Sequence, residues 1–327
     1  MISKKIGFLM VLERNGVVKD YKRWLKSYMR SARHREVSKN SLVVYKRVLG
    51  KLEKYIKKQN DITQIREIDR EFFFSFLEYF EKKSKVDKFA TKTKTLYIAV
   101  LKSFFVYISD NNDELYTYEN EFKGMMPQKI NKSKKITYLL DSETEVILEY
   151  LHERMKNRGG HYDYIYSFGI KLMLFSGLRV SEVLNLKLEN IIISELTDTE
   201  GVRDFYEIHL LDTKSKEDQI TLIKAIHIEV ELEYFRQLWS EEEYIFKGKG
   251  KIIPINRSNF YVSINKIMEK NSIKGRGLHI FRHTCAMQLF RKTGNLLVLK
   301  ETLRHSDIKT TMIYAHAQKR DIAEAMR

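Results

Sequence analysis

Residues 303 to 316 read LRHSDIKTTMIYAH. They hold two histidines, an arginine, three hydroxyl side chains and then one tyrosine, Tyr314, nine residues after His305. Only Leu303, Ile308, Met312, Ile313 and Ala315 are apolar, enough to seat a helix and no more. Three other stretches set polar groups in odd company. Arg179 follows Gly177 in an apolar run, with Glu182 three residues on, a spacing that shares one helix face. Lys214 lies in DTKSKED, a polar turn between two apolar runs. His279 and Arg282 are three apart in GLHIFRHTCAMQLF, at an expected helix start whose free N–H groups favour anions.

Taken singly, each has a plain structural explanation: an Arg179–Glu182 salt bridge, a solvated turn lysine, a capping His279, a core tyrosine with a satisfied hydroxyl. Taken together they are an inventory for phosphoryl transfer. Two guanidiniums can clamp the non-bridging oxygens of a phosphodiester through forked hydrogen bonds. A tyrosine hydroxyl can be the covalent nucleophile. Its ordinary pKa of about 10 calls for nearby positive charge and a proton acceptor. A lysine on a turn can protonate the leaving oxygen. The sequence has no cluster of Asp and Glu to hold a pair of metal ions, so the set predicts transesterification with no metal and no cofactor.

The elements that must position these groups follow from apolar spacing. Helical periodicity marks 18–33 (Val18, Tyr21, Trp24, Leu25, Tyr28, Met29), 41–57, 69–83 and 91–110, with Ser38 or Asn40 as a cap for the second. Met126 to Leu139 breaks the pattern with Pro127 and a run of lysines and reads as an extended basic linker. Beyond it, Asp141 or Ser142 caps a helix through Met155, and a second helix covers 162–175. Gly177 breaks that helix and another starts near Val180. Residues 205–211 and 219–223 read as strands of a hairpin. Further helices are expected at 226–239, 258–271, 280–292, 296–303 and 307–316. The expected fold is mainly α with a small β-hairpin or sheet, in two domains: a helical domain at 1–125, a basic linker at 126–136 and a mixed α/β domain at 137–327.

Bulk properties agree. The 327 residues suit two domains, and 43% hydrophobic content supports real cores. A net charge of +16 points to a polyanionic partner, with double-stranded DNA leading and a solvated lysine-rich surface as the alternative. The single cysteine, Cys285, excludes an internal disulfide framework and a Cys-rich zinc site, and fits a reducing cytoplasm. Ile6 to Leu12 mimics a signal peptide. It is followed by Glu13 and Arg14 and by no small-residue cleavage site, so it reads as a buried edge of the first domain. No apolar run is long enough for a membrane span.

Arg in SGLRVSEVLNL, Lys in a hairpin, HIFRH, LRH and Tyr in TTMIYAH, in that order, resemble the tyrosine recombinase (phage integrase) family. The resemblance covers essentially the whole chain and is nearest to the Xer-type enzymes of single-recombinase systems. It implies a helical core-binding domain followed by a catalytic domain. It also implies that Arg179 and Arg282 clamp the scissile phosphate and that Lys214 protonates the 5′-hydroxyl leaving group. His279 would be general base or phosphate ligand, and His305 a further phosphate ligand. Glu182 would orient the arginine or histidine, and Tyr314 would form a 3′-phosphotyrosyl bond. The bond energy is kept in that linkage, so strand exchange would need neither ATP nor a metal. Four protomers on two DNA sites are implied, with the tail at 318–327 docking on a neighbour, in the cytoplasm on the nucleoid. An accessory protein is left open.

Two positions depart from the family pattern. Arg304 stands where glycine is usual; it adds bulk and charge and could contact DNA. The hairpin lacks the common glycines, which makes Lys216 a rival to Lys214. Two other functions share much of this inventory: a DNA-binding regulator of the same fold without chemistry, and a type IB topoisomerase-like relaxing enzyme. The sequence does not separate chromosome dimer resolution from integration, excision or inversion of a segment.

Overall fold

The computed structural model describes residues 2–326 except 60, 84–90, 114, 119, 127–135, 198–203, 212–217 and 274–276; at 2–15, 83, 211, 218 and 319–325 it describes backbone alone. Two compact units cover 1–131 and 132–327. Most of the expected linker falls outside the described residues. Among those described, no helix is long and apolar enough to cross a membrane.

The first unit is built on four helices: α1 (Ile2–His34), α2 (Lys39–Ile56), α3 (Arg70–Lys83) and α4 (Thr91–Asp110). α1 starts well before the expected position. The stretch expected as a buried edge of the domain is helical backbone; Gly7 and Gly16 are the two glycines of that helix, and each costs only about 1 kcal/mol. Ser38, not Asn40, caps α2: its Oγ accepts from the Ser41 N–H at 3.2 Å. The apolar stripes converge on Tyr21, Tyr28, Leu49, Leu52, Phe73, Phe76, Phe104 and Phe105, all fully buried. Phe104 meets Tyr21 and Tyr28 edge-on, with ring centres 5.4 and 5.3 Å apart, a geometry that aligns ring edges with ring faces. The buried Tyr21 hydroxyl donates to the Leu49 carbonyl at 2.8 Å, so its burial leaves no polar group unpaired.

In the second unit, α6 (His161–Phe175) is packed by α5 (Asp141–Arg158), by α8 (Ala225–Arg236) and by α10 (His279–Thr293). It is apolar nearly all round, as a helix enclosed on several sides must be. The cap of α5 sits at Leu140, one residue before the expected pair, and the Glu143 carboxylate accepts from its N–H at 2.8 Å. Gly169 of α6 admits α9 (Arg257–Lys270): a Cβ there would lie 2.6 Å from Phe260 Cζ.

The expected hairpin forms between β2 (Phe205–Leu211) and β3 (Asp218–Lys224), antiparallel, with Leu211 opposite Asp218. A third strand, β1 (Ile191–Ile193), pairs with β2. Its three consecutive isoleucines carry no alternation that would announce a strand. The sheet faces the core with Ile191, Ile208 and Thr221, and the Thr221 hydroxyl donates to the Ser176 carbonyl at 3.2 Å. That bond ties the sheet to the end of α6. After α7 (Val180–Leu184), α10 and α11 (Leu296–Thr302), the chain makes a short 3-10 turn at Ile308–Thr310 and enters α12 (Met312–Ala325). The helix expected at 307–316 is thus two pieces, and the tail continues the helix that carries Tyr314.

Candidate active site

The site is assembled where α6 ends. Gly177 has φ +66°, and a Cβ on it would meet Leu303 Cδ2 at 3.1 Å; the chain can turn there only because the residue is glycine. The turn places Arg179 just before α7. Glu182, at the third position of that helix, accepts from the Arg179 N–H at 2.7 Å and from its guanidinium Nη1 at 2.6 Å. One carboxylate thereby caps the helix and orients the arginine. The salt bridge that was the plain explanation of this pair exists, and it lies inside the cluster.

Arg282 enters from α10 and is 4% exposed. Its guanidinium donates to the carbonyls of Gly177 and Leu303 and lies 4.0 Å from Glu182. Burial, then the charges of Arg179 and Arg304, push its pKa down to about 10, so it stays cationic at neutral pH. Burial would raise Glu182, but Arg304 and then Arg179 hold its carboxyl below the usual range.

His305 follows α11, its Nδ1 3.0 Å from the buried Thr311 hydroxyl. Burial and the three arginines Arg282, Arg179 and Arg304 push its pKa down to about 4. Tyr314 is 1% exposed. Its hydroxyl lies 2.8 Å from His283 Nδ1, and burial pushes its pKa up to about 12 against the opposing pull of Arg282. His279 opens α10 and is exposed, with Leu278 rather than His279 at the cap position. Its pKa is lowered by burial of part of its ring, then by Arg257, Arg282 and Arg179. Lys214 and its rival Lys216 lie outside the described residues; β2 and β3 flank them.

The structure therefore brings Arg179, Glu182, Arg282, His305 and Tyr314 into one cluster, with His279 at its edge. Sequence reasoning missed His283. Burial, then His279 and Arg282, push its pKa down to about 4, so it is neutral above about pH 5 and able to accept the tyrosine hydrogen from its Nε2–H tautomer. The available signal was the second histidine of HIFRH, next to Arg282. Arg304 is buried on Glu182, not turned outward to a duplex. Its φ of +53° explains why glycine suits the position. Among the described residues, three guanidiniums against one carboxylate, with His283 and His305 neutral, make a cationic pocket suited to a phosphate.

Residues 137–321 match the phage integrase family, and residues 18–107 the phage integrase SAM-like domain. The chain belongs to the phage integrase family. Among its relatives, the tyrosine recombinase XerD of Rickettsia bellii is 27% identical over 89% of this chain and 93% of that protein. Tyrosine recombinase XerH of Helicobacter pylori is 26% identical over 85% of this chain and 76% of its own. The fold is that of a crystal structure of XerH site-specific recombinase in a post-cleavage complex with palindromic difH substrate. That match has TM-score 0.71 and 23% identity, and covers 89% of this chain and 80% of the other.

Proposed function

We propose that this chain is a site-specific DNA recombinase that cuts and rejoins strands through a 3′-phosphotyrosyl intermediate. The observation that carries the proposal is the convergence of Arg179, Arg282, His305 and Tyr314 from four separate segments on one cationic pocket. Arg179 and Arg282 bind the non-bridging oxygens, and His305 supports them as a neutral donor. Tyr314 loses its proton to a neighbouring imidazole, either His283 through the bond it already makes or His279 after that bond breaks, and attacks phosphorus. The new Tyr–O–P bond forms as the bond to the 5′-oxygen breaks, and Lys214 supplies the proton to that oxygen. The partner strand's 5′-hydroxyl then reverses the steps.

The enzyme works as a homo-tetramer on two DNA sites in the cytoplasm, on the nucleoid, with the end of α12 docked on a neighbouring protomer. A lambda integrase tetramer bound to a Holliday junction shares the fold, with TM-score 0.60 and 13% identity, covering 88% of this chain and 77% of the other. Likeness to XerD and XerH supports chromosome dimer resolution, with integration and excision of a mobile element as the other role of such chemistry. The test is covalent capture. Wild type and Tyr314→Phe are incubated with nicked fragments of the source genome, and denaturation-resistant adducts are collected. Adducts with wild type alone, with DNA binding kept in both, are expected. Binding with no adduct would make the chain a DNA-binding regulator, and relaxation of plasmids lacking a specific site would make it a topoisomerase.

A further inference from the structure

Arg304 stands apart from the mechanism above. It has a left-handed backbone, φ +53°, which a side chain adopts reluctantly. Its side chain is only 4% exposed, and its buried Nε has no hydrogen-bond partner among the described residues. An arginine kept under those costs is needed for its charge. That charge goes to one place: Nη2 donates to Glu182 Oε2 at 2.7 Å, while Nη1 caps the Thr302 carbonyl at 3.1 Å. The backbone of the same residue holds Arg179, whose Nη2 donates to the Arg304 carbonyl at 3.3 Å. Arg179 is thus gripped on both arms, by Glu182 and by Arg304.

Resting on the recombinase reading of this site, we infer that Arg304 is a positioning residue for the phosphate clamp. It occupies Glu182 Oε2, so that the carboxylate orients Arg179 without drawing in Arg282. Arg282 Nη1 is 4.0 Å from that oxygen, beyond a strong ion pair but close enough to close on it if Arg304 were neutral. Both clamp arginines would then face the carboxylate instead of an arriving phosphate. Among the described residues, the cluster carries three guanidiniums and one carboxylate with Arg304 in place. A phosphodiester brings one negative charge and its five-coordinate state two, so each cation kept at the site favours the transition state over the ground state. Arg304 is buried and does not touch DNA; its effect falls on the chemical step and not on binding.

The experiment measures adduct formation on nicked DNA captured by the wild-type protein, as a function of DNA concentration. Arg304→Gln, Arg304→Lys, Arg304→Gly, Glu182→Gln and the double variant Arg304→Gln/Glu182→Gln are compared with wild type. Arg304→Gln should lower the rate at saturating DNA by about tenfold or more, with half-saturation within about twofold of wild type. Arg304→Lys should recover most of the rate. The double variant should be no slower than Arg304→Gln, because the competing carboxylate is gone. Arg304→Gly relieves the backbone and reports on charge even if the glutamine variant folds poorly; it too should be slow at saturation. Rates for the glutamine and glycine variants within about twofold of wild type would overturn the inference while leaving the wild-type adduct, and so the recombinase reading, intact. A defect seen wholly in half-saturation would make Arg304 a DNA-binding residue and overturn it equally. No adduct from wild type would remove the recombinase reading and this one with it.

Discussion

His283 makes the stability of the second unit depend on pH, and the size of the effect can be worked out. Unfolded, its imidazole takes up a proton near 6.5; folded, burial and then His279 and Arg282 delay that to about 4. Between those values the unfolded chain binds the extra proton. Stability is therefore full above about pH 7, falls as pH drops through 6.5, and the loss levels off below about 4. The full gap is worth about 3 kcal/mol, and at pH 5 about 2 kcal/mol has been lost relative to pH 8. His283→Gln removes the titration and keeps an acceptor for the Tyr314 hydroxyl. The chain has 2 tryptophans, Trp24 in the first unit and Trp239 in the second, so a Trp24→Phe background lets Trp239 fluorescence follow the second unit alone. Guanidinium unfolding at pH 5 and pH 8 should show a pH-dependent loss about 2 kcal/mol smaller in His283→Gln than in its parent. His305 also titrates low, but His283 is the last and smallest of the causes given for it, after burial and three arginines, so most of its titration is common to both proteins. Equal losses in the two proteins, to within about 0.5 kcal/mol, would refute the argument that partly buried, neutral His283 is what the fold protects.

Lys214→Ala should slow adduct formation by about 10²–10⁴, while Lys216→Ala stays within about threefold of wild type; the reverse in a single-turnover capture assay would make Lys216 the general acid. Gly177→Ala puts a Cβ at φ +66°, 3.1 Å from Leu303. It should destabilise the second unit by about 1–2 kcal/mol, seen as a lower melting temperature, and should slow adduct formation because the Gly177 carbonyl anchors Arg282.

Much of the architecture was legible because helices announce themselves locally. The stripes of α2, α3 and α4 gave their places to within a residue or two, since apolar spacing of 3.6 is a property of contiguous sequence. β1 was not legible. Three isoleucines become a strand only because β2 lies beside them. The helical start of the chain was not legible for a related reason: a short apolar stretch looks alike as an edge segment or as one face of a long helix, and length decides.

By itself the sequence determined which residue types are present, in what order, and hence the family: Arg179, the hairpin lysine, Arg282, His305 and Tyr314 stand in an order that little else shares. It also determined that the chain folds into helices able to carry them. Only the tertiary structure decided what each polar group faces. Tyr314 meets His283, 31 positions away. Arg304 meets Glu182, 122 positions away. Whether an arginine is open to DNA or buried on a carboxylate, and whether a histidine is charged or neutral, depends on desolvation and on charges brought from other segments. Those are set by packing across the unit, and no local spacing encodes them.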